Sequence, residues 1–354
     1  MKIFAKYISF IYIKYFLIIF LALELFFVGI ELINSFSSIP KSANLIVLFM
    51  VFSACTAVSI IAPLSVVLAL IASLVHLIRS GELVPFYALG ISKSRLIMPA
   101  FVCSIVIILA LILSQATPLA YAKDYKNAIM NQNLNSVFRL NAAFIKSENK
   151  YIYFTNITPN SPKVPLVYVF ELKDDKLERK ITAVDAEFSD GKWRAKNVLS
   201  TSLPPLKELG GEGIKNEILS EYEILEGFEP QLLSNLNKNA SSYSIIHAIK
   251  TLWQVKDDAI NLSVIKTALY LAVFFPFFAP FMLIILYSYA PILSRFNSIA
   301  LLSFGSVVIT LCIWGVIYAL SKLSASATIP AELGIIAPVA VLGAFAFYRF
   351  RMIR

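Results

Sequence analysis

The sequence predicts a membrane α-helical protein, six transmembrane helices with an all-β domain inserted between the third and the fourth. Three observations predict it. Apolar residues make up 58% of the 354-residue chain and charged residues 15%, whereas soluble domains average roughly half apolar and a quarter charged. Six apolar runs are long enough to cross a bilayer, which takes about 20 residues. Between the third and fourth runs the composition turns to that of a soluble domain with alternating apolar and polar positions. The chain divides accordingly into 1–117, 118–262 and 263–354.

Taken in order, Lys2, Lys6 and Lys14 punctuate an aromatic start with Phe4, Tyr7, Phe10, Tyr12, Tyr15 and Phe16. This reads as an interfacial helix leading into span one, residues 15–33. The basic start is like that of a signal peptide, but the apolar run continues without a small-residue cleavage pattern, so the span is expected to be retained. Glu24 falls near its middle, where a carboxylate must face protein or water rather than lipid. It is either part of a polar path, or protonated or hydrogen-bonded between helices. A short polar loop with Pro40 and Lys41 leads to span two, residues 45–78. Its 34 residues would reach about 50 Å as straight helix, against a hydrocarbon core of about 30 Å. The helix is therefore tilted, kinked at Pro63, or projects from the bilayer. Span three, 96–117, continues outward in a helical lead-in, YAKDYKNAIMNQ.

The inserted domain shows strand-like segments at 151–157, 164–172, 180–188, 192–199 and 222–225. Turn pairs such as Asp174-Asp175 and Asp190-Gly191 separate them. This is the pattern of an antiparallel sandwich or an open barrel. Alternating pairs such as Tyr151/Tyr153, Val167/Val169 and Phe170/Leu172 would line its interior or simply pack its core. Residues 241–255 read as a helix returning to the membrane. Spans four to six follow at 264–289, 299–320 and 329–348. Pro276 and Pro280 are tolerable in span four where neighbours re-satisfy the freed carbonyls, and the surrounding phenylalanines read as lipid-facing bulk. Gly305 and Gly315 in span five would permit close helix approach, or a smooth wall.

Basic residues orient the bundle. Lys2, Lys6, Lys14, Arg79, Lys93, Arg95, Arg295, Arg349, Arg351 and Arg354 share one side, with Glu82 the nearby acid. The opposite short loops balance Glu31 with Lys41 and Lys322 with Glu332. Both termini and the Glu82 loop are thus expected in the cytoplasm and 118–262 outside. The net charge of +9 is read as topology, and no nucleic-acid partner is expected. Three cysteines, Cys55, Cys103 and Cys312, lie inside apolar runs and imply neither disulfides nor a metal site.

No phosphate-binding loop, HExxH helix or nucleophile triad is present, and the histidines number two, so no catalytic, cofactor or metal residues are assigned. Sparse intramembrane polar residues argue against an ion relay, and the lack of an internal repeat with matching broken helices against a secondary carrier. A partner ATPase is the better source of work. The place for it is the polar stretch RSGELVPFYALGIS between spans two and three. A short helix beginning near Glu82 would have a carboxylate at its positive end and Gly90 as its left-handed stop, with Pro85 at the end of the first turn, where a missing N–H costs little. The alternative is an ordinary polar turn.

The layout and this loop resemble the lipopolysaccharide-transport permeases LptF and LptG. The residues carrying the resemblance are Ser80-Gly81-Glu82-Leu83 and Ala88-Leu89-Gly90-Ile91-Ser92 in the loop. Supporting matches are Pro118, Tyr121, Asp124 and Asn127 after span three, Phe228-Glu229-Pro230 before the returning helix, and the strand pair around 188–193. The resemblance covers essentially the whole chain and is closer to the LptG type, on the short N-terminal lead and the compact basic C-terminus. It implies a non-catalytic permease subunit of an ATP-driven ABC transporter in a bacterial inner membrane. The subunit extracts lipopolysaccharide and passes it to a bridge of β-jellyroll domains in the periplasm, and its own inserted domain would be periplasmic and β-jellyroll-like. The implied partners are a cytoplasmic LptB-like ATPase dimer, which binds the ATP; a second, LptF-like permease as heterodimer; and a single-span LptC-like bridge protein. A coupling helix at 80–91 would dock the ATPase through Glu82, Leu83, Phe86, Tyr87, Leu89 and Gly90. The pattern also carries a basic cluster at the outer end of span one for lipid phosphates. Here Glu31, Asn34, Ser37 and Ser38 stand in that region and only Lys41 is basic. Lys41, Glu24, Glu31 and Asn34 are the candidates for the lipid cavity. Pro85 is a second departure from the pattern. Competing readings are a scaffold or mechanotransmitter that couples an ATPase to periplasmic partners without carrying lipid, and a stand-alone membrane sensor.

Overall fold

The computed structural model of the chain describes residues 3–40, 42–130, 140–147, 150–157, 162–173, 176–203, 213–226, 244–254, 262–291 and 299–352. Six of its helices are long and apolar enough to cross a membrane. Helix α1 runs unbroken over Ile3–Ser35, so the expected interfacial lead and first span are one helix. Helix α2, Ala43–Arg79, continues through Pro63 and is the most buried element of the bundle. The two pack closely, and the fully buried Tyr12 hydroxyl donates to the Val66 carbonyl at 3.0 Å. A short helix α3, Leu83–Ala88, leads to α4, Lys93–Gln115.

The segment after α4 does not extend it outward. Thr117 precedes Pro118 and takes the extended conformation (φ −90°, ψ 172°) that a following proline favours, which ends the helix. Its hydroxyl accepts the Leu119 N–H at 3.3 Å. Helix α5, Ala122–Met130, then folds back onto α2. Ile129 is buried with Phe49 and Ile39, and Tyr125 stacks on Phe52 with ring centroids 5.2 Å apart.

Six antiparallel strands follow: β1 Leu140–Ser147, β2 Lys150–Ile157, β3 Lys163–Lys173, β4 Lys176–Ser189, β5 Lys192–Ser202 and β6 Lys215–Glu226. They pair in chain order as a meander. The jellyroll-like expectation narrows to one curled sheet, because each described strand pairs with its sequence neighbour and none makes the Greek-key crossing of a double-sheet jelly roll. The β4–β5 hairpin turns on Asp190-Gly191, both at positive φ (52° and 78°), as a two-residue turn matching the strand twist requires. Strand β1 was not among the expected segments, and Asp174-Asp175 and Phe228-Glu229-Pro230 lie outside the described residues. Ile152, Phe154, Val167, Val169, Trp193 and Ile224 fill one core. The alternation places Val167 and Val169 inside, while Tyr151, Tyr153, Phe170 and Leu172 take the opposite, half-exposed face.

The chain returns through α6, Ile245–Gln254. Span four is two helices, α7 Leu262–Val273 and α8 Phe278–Tyr289, joined by a tight turn around Pro276. Phe275 and Phe278 are buried there, contrary to the lipid-facing reading, because the turn aims them into the main core. Helix α9, Ile299–Ala325, and α10, Ala337–Met352, close the chain, the last span opening with a π turn at Glu332–Ile336. Gly305 and Gly315 face open space. The close approaches fall instead at Gly334, where a Cβ would collide with Ser324, and at Gly343, where it would press on Phe281.

The curl of the sheet brings β6 over β2 and β3. The Lys150 ammonium donates to the Tyr222 hydroxyl at 2.9 Å, and that hydroxyl donates to Glu171 at 2.8 Å. Lys150 and Glu171 are also 3.1 Å apart. Burial works against both charged forms, but the Tyr222 hydrogen bonds and the opposing charge outweigh it. Glu171 is held below the usual carboxylate range and Lys150 above the usual ammonium range. The Glu171 contribution to stability is present above its unfolded-state pKa and is lost as pH falls through its lower folded value. The Lys150 contribution is present below its unfolded-state pKa and is lost as pH rises through its higher folded value. The clamp therefore holds through the neutral range and fails in acid. Tyr222→Phe is expected to lower the opening free energy of β6 by about 1–2 kcal/mol near neutral pH and to flatten its decline on acidification. Hydrogen exchange in β6 measures both, and unchanged protection would contradict the clamp.

Candidate functional site

The loop helix is built by two glycines. Helix α2 stops at Arg79, Gly81 takes positive φ (71°) to reverse the chain, and α3 begins after Glu82. At its other end the Gly90 N–H donates to the Tyr87 carbonyl at 3.0 Å and the Ile91 N–H to the Phe86 carbonyl at 3.1 Å. With Gly90 at φ 76°, this is a Schellman stop, which satisfies the last carbonyls and needs a residue without Cβ strain. Pro85 is the third residue of the helix and exposed, where its missing N–H would have had no intrahelical partner. The stretch is a helix and not an ordinary turn.

Helical spacing gives α3 two faces. Leu83 is 2% exposed and belongs to the core shared by α2, α4 and α8. Phe86 and Tyr87 lean on that same core. Val84, Pro85, Ala88 and Leu89 face outward, Leu89 at 78% exposure. Leu83 is therefore the residue that seats the helix. Val84, Pro85 and Ala88 take the outward face that sequence reasoning did not assign. The missed signal is the helical period itself, once Leu83 is known to point inward.

Polar contacts fix the loop on both flanks. The Tyr7 hydroxyl of α1 donates to the Glu82 carboxylate at 2.7 Å. The hydroxyls of Tyr87 and Tyr287 lie 3.2 Å apart, joining α3 to α8, and burial pushes the Tyr87 hydroxyl pKa up. Lys93 donates to the Ala290 carbonyl at 2.9 Å, and Arg349 of α10 donates to Ser288 at 3.2 Å while lying over the Tyr289 ring. Spans one, three, four and six thus all touch the loop or the residues that hold it.

The lipid-cavity candidates that the structure describes, Glu24, Glu31 and Asn34, all lie on α1. Glu24 is 9% exposed at mid-span, and its carboxylate oxygens have no hydrogen-bond partner among the described residues. Glu31 pairs with Lys126 of α5 at 2.7 Å. Asn34 is exposed at the end of α1, and Lys41 lies outside the described residues. No cluster of metal-binding side chains occurs among the described residues. Helices α1 and α9 leave most of their surface bare: of the 27 residues of α9, Thr310, Ile317, Ser321 and Ser324 are buried.

A six-span bundle with an inserted sheet and an anchored loop helix defines a polytopic membrane protein of the permease class. The family described as the lipopolysaccharide export system permease LptF/LptG matches residues 6–352, and the chain belongs to that family. It is a lipopolysaccharide export permease, the transmembrane subunit of an ABC transporter, without catalytic activity of its own. No curated protein matches the chain.

Gly90→Val is expected to fray α3 by forcing a β-branched residue into the left-handed region, at about 1–2 kcal/mol. The check is the exchange of the Gly90 and Ile91 amides in the membrane-embedded protein, which should quicken while α2 and α4 stay protected. Unchanged exchange at those two amides would remove glycine's role in ending the helix.

Proposed function

We propose that the outward face of α3 is where a cytoplasmic ATPase docks, and that the permease converts its strokes into movement of lipopolysaccharide out of the inner membrane. The observation that carries this reading is the loop helix itself: seated by Leu83, bonded to α1 through Glu82 and to α8 through Tyr87, and open to a partner along Val84, Pro85, Ala88 and Leu89. A helix bound to several spans passes a push to all of them, whereas a free turn would absorb it. Glu82 stands at the rim of that face.

The basic end of the bundle, with Lys6, Arg79, Arg95, Arg349 and Arg351, supports a cytoplasmic location for the loop and both termini. Residues 118–262 then form the periplasmic domain between the helical parts 1–117 and 263–354. The bare apolar walls of α1 and α9 suit a second, LptF-like permease with lipid held between the two, this chain being the LptG-type half. They favour a carrier over a closed scaffold. A dimeric LptB-like ATPase, a single-span LptC-like protein and a periplasmic bridge complete the machine. Lys126 neutralises Glu31 beside the outer end of α1, which lowers the repulsion that carboxylate would offer a lipid phosphate.

In the complex purified from its own membrane, Glu82→Lys is expected to cut the co-purifying ATPase by about tenfold or more and to leave the second permease in place. Tyr7→Phe, which removes one hydrogen bond and keeps the charge, should cost much less. Retention of the ATPase by Glu82→Lys would end the docking reading.

A further inference from the structure

Helices α1 and α4 bound a groove that the loop helix does not use. It holds about 670 Å³. On the α1 side the short side chains of Ala5 and Ser9 leave the space; on the α4 side a stripe of Arg95, Met98, Val102 and Val106 forms the wall. From Arg95 to Val106 the helix rises about 16 Å, close to half of a hydrocarbon core about 30 Å thick. The groove thus has the length of one acyl chain in one leaflet. No acidic side chain lines it among the described residues. Its single charge among the described residues, Arg95, lies in the first turn of α4 at the loop-helix end and is exposed, and its guanidinium makes no ion pair or hydrogen bond among those residues. Lys6, beside Ala5, is exposed as well. A cation at one end and an apolar trough leading away from it match a phosphate head with a hydrocarbon tail.

We propose that this groove is a phospholipid-binding site, with the lipid phosphate on Arg95 and one acyl chain lying along α4 to Val106. The lipid comes from the leaflet on the loop-helix side. The site is independent of the docking face, because helical spacing puts Ala5 and Ser9 on one flank of α1 and Tyr7 on the other. A lipid held there fills the seam between two spans that the loop helix connects.

The test uses the intact complex in vesicles containing phosphatidylglycerol with a photoreactive acyl chain, and maps the adducts after illumination. Adducts are expected to concentrate on residues 98–107. Arg95→Gln should lower their yield about fivefold, the effect of one cation near an anionic headgroup. Val102→Trp, at an exposed position that fills the trough without disturbing the core, should abolish them; unchanged recovery of the second permease verifies folding in both. Adducts spread evenly over the outward faces of the spans, indifferent to both substitutions, would overturn the proposal. So would a photoreactive residue placed at Val102 that captures a protein chain instead of lipid.

Discussion

The burial of Leu83 is the interaction on which the rest of the loop depends. A six-residue helix is far too short to be stable in water by itself, so its order must come from what it packs against. Placing Leu83 in the core of α2, α4 and α8 fixes the rotation of the helix about its axis. That rotation sends Phe86 and Tyr87 inward and leaves Val84, Pro85, Ala88 and Leu89 outward. The Tyr7–Glu82 and Tyr87–Tyr287 hydrogen bonds then lock a geometry the apolar contact has already chosen. Gly81 and Gly90 let the backbone enter and leave within so few residues.

The same economy governs the larger architecture. Helix α2 is covered by its neighbours and serves as the post of the bundle, whereas α1 and α9 expose apolar faces that in water would aggregate and in a bilayer cost nothing. Helix α5 folds back and pairs Lys126 with Glu31, so the C-terminal end of α1 is tied to the segment that leads into the sheet. At the other end of the bundle, the loop helix ties α1 to α8. Movement of α1 is thus constrained at both ends by contacts from different parts of the chain, which is what a permease needs if a push at one face is to be felt at the other.

Much of this was legible in the sequence. Apolar runs placed spans two to six to within about five residues, the Asp190-Gly191 pair marked a hairpin, and Gly90 marked the end of the loop helix. What was not legible depends on pairs far apart in the chain. Tyr7 and Glu82 are 75 residues apart, and Tyr87 and Tyr287 are 200 apart, and no periodicity announces such contacts. The facing of Leu83 was missed for a related reason: every residue of α3 is apolar, so composition alone offers no inside or outside. The turn at Thr117-Pro118 was visible as a proline, but the direction in which α5 leaves it is set by Phe52 and Ile39 on other elements. In span five the glycines left a close helix approach and a smooth wall equally open, because whether a glycine meets a neighbour depends on rotation of the whole helix.

The most direct measurement is photo-crosslinking from the two faces of α3 in native membranes. A photoreactive amino acid is placed in turn at Leu89 and at Leu83, and adducts are identified by mass spectrometry. Leu89 should capture the ATPase subunit, while Leu83 should capture only segments of this chain. An ATPase adduct from Leu83, or none from Leu89 in an intact complex, would contradict the assignment of the outward face as the docking surface.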